Sequence, residues 1–190
     1  MSRKADHPIE SWFVERWSGR AMSGEPLSDE ELARLFEAAR FAPSAGNSQP
    51  WRFLYALAKS AEFEQFFSFL NPRNQEWCVR AGALLVVISK TTFGADRPSP
   101  THAFDTGAAW MSLALQGSRM GLVVHGLGGF DAEAARAGLG VPADHAIQCM
   151  VAVGKPGRLE DLPESFRARE QPSERNPSSS FAFRGRFPRG

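Results

Sequence analysis

The stretch LLVVIS, Leu84–Ser89, limits most strongly the folds that this chain can adopt. Nearly every position is apolar, a pattern typical of a strand that is buried on both faces. Strand-like and helix-like patterns alternate along the rest of the chain, and no internal repeat is visible. The sequence therefore predicts a domain built from both helices and strands.

Apolar spacing places the other elements. The text SDEE at Ser28–Glu31 has the S-x-x-E form of a capping box, and a helical apolar face follows it, so a helix is expected over 28–42. The helix over 105–121 has apolar residues on more than one face, so burial in a core or a subunit interface is expected. The remaining predicted helices are 8–17, 62–70 and one that begins at Asp131; the remaining predicted strands are 51–57, 122–125 and 146–153.

Composition narrows the class of protein. With 190 residues, 43% of them hydrophobic, the chain is expected to form one domain, although its length also permits two. Its formal net charge of +1 gives no chain-wide basic field, so neither nucleic acid nor a membrane is expected as a partner. The N-terminus has no apolar secretory region, and a cytoplasmic location is expected. Two isolated cysteines, Cys78 and Cys149, are too few for a disulfide framework, and Cys149 is expected in the core.

Beyond Gly154 the composition shifts to proline, serine, arginine and glutamate, and residues 155–190 read as an extended arm after a core of residues 1–154. A solvated tail and an RNA-binding arginine-glycine segment are both compatible with this composition. The three phenylalanines near its end favour docking onto another surface. The arginines between Phe166 and Gly190 are Arg167, Arg169, Arg175, Arg184, Arg186 and Arg189.

The stretch ARFAPSAGNSQPWRF, 39–53, interrupts this alternation with an unusually polar loop between a helix and a strand. Most of its residues are types that turns favour, and several carry hydrogen-bonding side chains. An ordinary chain reversal needs fewer of them. The loop is therefore a candidate for lining a ligand, with a plain turn as the alternative.

A second candidate is ERWSGRAM, in which Arg16, Ser18 and Arg20 are spaced by two. In an extended segment this spacing puts the three side chains on one side. Two planar guanidinium groups and a hydroxyl suit phosphate oxygens, and a pair of solvated arginines beside a turn is the alternative.

Together, RWSGR, APSAGNSQPWRF, GLGGFD and FRGRF resemble, in order, the landmarks of the nitroreductase family of FMN-dependent oxidoreductases. The resemblance covers nearly the whole chain, and PSxxNSQPW is its most specific part. It implies an α+β fold with a mixed β-sheet flanked by helices, an intertwined homodimer, and an extended C-terminal arm of the same domain.

The resemblance also implies roles for particular residues. Arg16, Trp17 and Ser18 would contact the FMN phosphate and the ring edge, and Arg20 would be the cation near the flavin N1 and O2. Asn74 and the GLGGF segment would face the ring, the loop would wrap the cofactor at the subunit interface, and two arm residues would close over the phosphate. The remaining implied cofactor-binding residues are Pro43, Ser44, Ala45, Asn47, Leu127, Gly128, Gly129, Arg184 and Arg186.

The implied activity is reduction of nitroaromatic, quinone or related electrophilic acceptors by NAD(P)H through bound FMN, by a ping-pong mechanism. No side chain is assigned as a catalytic acid or base, and Arg20 would stabilise charge on the reduced ring. GLGGF is not a GxGxxG fingerprint, and the family binds nicotinamide nucleotides over the flavin. The alternatives are a non-catalytic FMN-binding protein and a flavin-processing enzyme of the same fold. No metal is expected, because the histidines are scattered: His7, His102, His125 and His145.

Overall fold

The computed structural model describes residues 3–94 and 96–188 and centres on one four-stranded sheet. The strands of the chain are β1 Trp51–Leu57, β2 Ala83–Lys90, β3 Thr92–Phe93, β4 Arg97–Pro98, β5 Val123–Leu127 and β6 His145–Gly154. The sheet order is β1-β2-β6-β5, while β3 and β4 form a separate two-stranded hairpin.

Every strand pair among the described residues is antiparallel. The α+β class with helices flanking the sheet is confirmed, but the sheet is antiparallel where the resemblance implied a mixed one. Strand β2 runs opposite to both β1 and β6, and β5 runs opposite to β6, so no neighbouring pair in this sheet is parallel.

Seven helices accompany these strands among the described residues. They are α1 Ser11–Glu15, α2 Asp29–Arg40, α3 Ala61–Ser68, α4 Pro72–Cys78, α5 His102–Arg119, α6 Ala132–Leu139 and α7 Glu164–Arg167. Short 3-10 turns lie at Ala45–Asn47, Leu159–Asp161 and Ser178–Ser180. None of the helices in these described ranges is long and apolar enough to span a bilayer.

The sheet is covered on both faces, as the composition of β2 predicts. Alternate residues of β2 belong to two different core clusters: Leu84 and Val86 pack with Phe63 and Trp77, whereas Leu85 packs in the cluster of α2 and α5. All of these β2 side chains are buried. Helices α3 and α4 therefore cover one face of the sheet, and α2 and α5 cover the other.

The capping box is confirmed at the start of α2. The Ser28 Oγ accepts from the Glu31 N–H at 3.1 Å, and a Glu31 carboxylate oxygen accepts from the Ser28 N–H at 2.8 Å. The helix ends at Arg40, two residues before the expected position, and Phe41 is its C-cap. Helical geometry is disfavoured just before Pro43, so the last turn unwinds before the proline is reached.

Helix α1 is shorter than expected, since it spans Ser11–Glu15 rather than 8–17. It has no side-chain cap and no buried residue, so neither capping nor packing extends it.

Helix α5 begins three residues before the expected position. Its inner face is buried, but its outer face leaves Phe104 82% exposed and Met111 43% exposed. One chain alone therefore does not cover both apolar faces of this helix.

The segment after β6 divides into two parts. Leu162 and Phe166 are buried against the core, and Met22 forms a bridge with Pro156. From Gln171 to Pro188 almost every residue is exposed. Arg189, counted among the basic residues of the arm, lies outside the described residues, and the domain boundary at 154 stays a prediction.

Candidate functional site

The segment that follows α1 is held from both sides at Gly19. His125 on β5 donates its Nδ1–H to the Gly19 carbonyl oxygen at 2.9 Å. A Cβ at Gly19 would lie 3.2 Å from a Glu170 carboxylate oxygen and 3.3 Å from the Trp17 ring. The chain therefore passes closely between β5 and the C-terminal segment, which fixes the direction of Ser18 and Arg20.

Arg20 lies in a largely enclosed position, with its side chain 21% exposed. Its guanidinium carbon is 5.9 Å from the centre of the Trp77 ring and 5.8 Å from that of Phe166. A Glu170 carboxylate oxygen lies 3.7 Å from the Arg20 Nη1. Ring faces and a carboxylate both attract a cation, so the guanidinium is fixed in place.

A cavity of about 610 Å³ opens beside this segment. It brings together Trp17, Ser18 and Arg20 of the sequence-predicted site, and it adds His125 and three further arginines. The arginines that sequence reasoning did not assign to the site are Arg3, Arg169 and Arg175.

Arg16 is half-buried, and its side chain makes no hydrogen bond or ion pair within the parts of the chain that the structure describes. Burial lowers the pKa of Arg16, and the nearby charges of Arg3 and Arg175 lower this pKa further. The Arg3 guanidinium donates to the main-chain oxygens of Val14 and Arg16. Like charges gathered in a partly buried place favour an anion between them, so this cluster fits a phosphate group of the kind that FMN carries.

The polar loop forms a strained turn rather than a simple reversal. Gly46, Asn47 and Gln49 have φ values of 56°, 52° and 47°, a region that residues other than glycine rarely adopt. A buried Asp105 carboxylate oxygen accepts from the Ala45 N–H at 3.1 Å, and strain that surrounding contacts maintain is a feature of functional sites.

The loop does not share the arginine-lined cavity. Asn47 and Pro43 are exposed, Ser44 and Ala45 are half-buried, and none of these residues lines the cavity around Arg20. Within one chain, the two most specific motifs are therefore not brought into one site.

The structure does bring Asn74 and Gly129 together, although they are far apart in sequence. The Asn74 side-chain amide donates to the Gly129 carbonyl oxygen at 2.9 Å, and the Asn71 N–H donates to the same oxygen at 3.0 Å. Asn71 also caps α4 by accepting from the Asn74 N–H at 2.9 Å. The Leu127 side chain is buried in the core, so only the main chain of this residue is available to contact a ligand.

Arg184 and Arg186 lie on the exposed part of the arm, and neither lines the cavity around Arg20. The site residues that sequence reasoning missed are Arg3, Asp105, Arg169, Glu170 and Arg175. No local motif marks them, because each acts through contacts that only the folded chain brings together.

Burial raises the pKa of the Cys149 thiol to about 11, and it raises that of Cys78 further. Over residues 3–94 and 96–188, no three His, Cys, Asp or Glu side chains are placed to hold a metal ion.

These features define an α+β protein whose sheet adjoins a cationic site suited to an anionic ligand. The Nitroreductase family model matches residues 14–70 and 55–155, and the chain belongs to the nitroreductase family.

The similar proteins carry more than one functional name. A protein of Archaeoglobus fulgidus named as an NADH dehydrogenase/NAD(P)H nitroreductase is 30% identical over 79% of this chain and 86% of its own. A 5,6-dimethylbenzimidazole synthase of Rhodospirillum rubrum is 26% identical over 84% of this chain and 87% of its own.

Among solved structures, an oxidoreductase containing FMN is 39% identical, with a TM-score of 0.95 over 98% of this chain and 96% of that chain. A nitroreductase of Desulfovibrio desulfuricans in complex with FMN has a TM-score of 0.74 at 22% identity, over 97% of this chain and 100% of that chain, and shows the shared fold.

Proposed function

We propose that this protein is an FMN-dependent oxidoreductase that uses NAD(P)H to reduce nitroaromatic, quinone or related electrophilic acceptors. The observation that carries the proposal is Arg16, a half-buried guanidinium with no partner among the described residues and with two other arginines nearby. Family membership and the 39% identity to a structure containing FMN support FMN as the anion.

Two cavities suggest how the chain would hold the cofactor. Ser18 lines the one around Arg20 and Arg16 lines the other, while Arg3 and Arg175 line both. Arg16 and Ser18 would bind the phosphate, with Arg3 and Arg175 beside them and with Arg184 and Arg186 as the contacts that the resemblance implies. Asn74 and the Leu127–Gly129 segment would face the ring. Bound FMN would supply the acceptance and donation of hydride.

Arg20 would contribute electrostatic stabilisation. Because its guanidinium is fixed by Trp77, Phe166 and Glu170, it needs little reorganisation when negative charge develops nearby. Replacement of Arg20 by Ala is expected to slow flavin reduction and to lower the flavin potential.

We propose a homodimer in which the loop of one copy completes the site of the other. The outward Phe104 and Met111 of α5 are large apolar side chains that a second copy would cover. The separation of the loop from the arginine-lined cavity also supports this arrangement, because a loop from a second copy would complete the site. The expected cytoplasmic location stays a prediction.

The test is to purify the protein, release its cofactor with acid, and follow anaerobic reduction by NADH and NADPH. FMN released intact, followed by electron transfer to an acceptor, is expected. Initial-rate lines against NAD(P)H at several acceptor concentrations are expected to be parallel, since one pocket would serve both substrates in turn. A protein that cannot be loaded with FMN contradicts the proposal, and intersecting lines contradict the ping-pong mechanism.

A flavin-processing enzyme is the second candidate, because one relative is named a 5,6-dimethylbenzimidazole synthase. The two functions differ in the fate of the cofactor. A reductase returns FMN intact after many turnovers, whereas a processing enzyme consumes it, and mass spectrometry of the flavin after turnover separates them. FMN binding without any NAD(P)H oxidation would indicate a non-catalytic binding protein.

A further inference from the structure

Glu170 connects the C-terminal segment to the proposed site. One of its carboxylate oxygens, Oε1, accepts from the main-chain N–H groups of Arg20 at 2.5 Å and Ala21 at 2.8 Å. The other, Oε2, lies 3.7 Å from the Arg20 Nη1. One side chain therefore holds both the main chain and the guanidinium of Arg20.

The Glu170 side chain is only 7% exposed, and its Oε2 is buried without a hydrogen-bond partner in the described residues. An ionised oxygen in such a position is costly unless a nearby positive charge offsets the cost. Arg20 is the closest positive group that the structure gives it. The two charges consequently offset each other in part, and Arg20 presents less than a full positive charge to its surroundings.

We propose that Glu170 is a positioning residue for Arg20, which it holds in place while its charge lowers the effective charge of the guanidinium. This inference rests on the proposed function, since it assigns Arg20 to the charged edge of bound FMN. Removal of the carboxylate charge then favours reduced, more negative FMN and raises its midpoint potential.

The decisive variant is Glu170→Gln, because its amide oxygen can still accept from the two main-chain N–H groups. The midpoint potential of bound FMN is expected to rise by about 30 mV, which corresponds to a tenfold change in the ratio of affinities for oxidised and reduced cofactor. A matched control is Glu174→Gln, which removes the same charge from a residue that lines the same cavity, whereas the ion pair that the described residues give Arg20 is with Glu170. An unchanged or lower potential in the Glu170 variant, or an equal rise in both variants, overturns the inference.

A double-mutant comparison tests whether Glu170 acts through Arg20. An Arg20→Gln background has no guanidinium whose charge Glu170 could offset or whose position it could hold, so Glu170→Gln is expected to change the potential less than it does in the wild-type protein. A shift as large as in the wild-type background contradicts the inference.

Binding supplies a readout that does not depend on turnover or on the Gln variant. Glu170→Asp keeps the charge, but its shorter side chain cannot reach both main-chain amides, so the Kd for FMN is expected to rise about threefold or more. A wild-type Kd overturns the positioning role. If the wild-type protein fails to bind FMN, the proposed function fails and this inference with it; FMN binding with an unshifted potential refutes this inference alone.

Discussion

The side-chain amide of Asn74 donates to the carbonyl oxygen of Gly129 at 2.9 Å and so joins the start of α4 to the turn that follows β5. The Asn71 N–H donates to the same oxygen, so both acceptor positions of this carbonyl are used. The orientation of the Gly129 peptide is therefore fixed. This matters for the proposed site because the same turn would face the flavin ring.

Replacement of Gly129 by Ala is expected to weaken FMN binding about tenfold or more. A Cβ there would lie 2.4 Å from the Asn71 Nδ2 and 2.7 Å from the Asn74 Nδ2, so these side-chain amides must shift, which disturbs the hydrogen bond that orients the Gly129 peptide. The matched control is Gly138→Ala on α6, where a Cβ would also lie close to a side chain, 2.9 Å from the Phe69 ring, but which has no proposed role in the site. Fluorescence titration with FMN measures both affinities. Equal affinities in the two variants would show that the close contact at Gly129 does not shape the site.

Replacement of Arg175 by Gln is expected to raise the Kd for FMN about tenfold and to leave that for riboflavin, which lacks the phosphate, unchanged. The apoprotein is expected to keep or gain stability, because Arg16 and Arg3 lose a like-charged neighbour. Isothermal titration with both flavins and thermal unfolding of the apoprotein make these measurements. If Arg175 has only a structural role, its replacement is expected to lower the stability of the apoprotein and to weaken the binding of FMN and riboflavin equally.

Arg34→Gln controls for net charge in that experiment, because this exposed arginine lies on α2. The paired replacement of Arg184 and Arg186 by Gln tests the phosphate contacts that the resemblance implies. An unchanged FMN affinity in that pair would remove the end of the arm from the site.

Features set by neighbouring residues could be predicted from the sequence. The Ser28 and Glu31 pair predicted the start of α2, and the apolar run around Leu85 predicted a strand covered on both faces. The contact of Glu170 with Arg20 spans 150 residues, so no local spacing could indicate it. Strand direction was also out of reach, because pairing depends on the whole chain path.

The same distinction, between features set by neighbouring residues and features set by long-range contacts, applies to the candidate site. RWSGR and the GLGGF segment were found as motifs, since their residues are close in sequence. Arg175 and Asp105 were not, because an arginine in a polar tail and an acid at the start of a helix are common. Only the charge that Arg175 places near Arg16, and the hydrogen bond that the Asp105 carboxylate accepts from Ala45, distinguish them.

Neither cysteine is expected to react readily with iodoacetamide in the native protein at pH 8. With a pKa of about 11, Cys149 has roughly a thousandth of its thiol as the reactive thiolate at that pH, and burial raises the pKa of Cys78 still further. Mass spectrometry after timed alkylation, with the urea-unfolded protein as control, measures the rates. Alkylation of Cys149 at the rate of the unfolded chain would show that burial does not suppress its thiolate.

The stability of the apoprotein is expected to fall as pH drops below about 6.5, in part because of His125. Burial lowers the pKa of this histidine by more than the hydrogen bond from its Nδ1 to the Gly19 carbonyl oxygen raises it, so the folded protein favours the neutral ring, with its proton on Nδ1. Below the ordinary histidine pKa, the unfolded chain therefore binds a proton that the folded chain does not. The free energy of unfolding then decreases with falling pH, until the folded pKa is reached.

His125→Gln removes this titration while it keeps a side chain that can donate to Gly19. Urea unfolding at several pH values between about 5 and 7.5 is expected to show a shallower decline for this variant, by at most about 1.4 kcal/mol per pH unit. The exposed His7, replaced by Gln, controls for the loss of one imidazole. Parallel curves for wild type and His125→Gln would mean that the ring is protonated as easily in the folded chain as in the unfolded one, and that burial beside Arg20 does not hold it neutral.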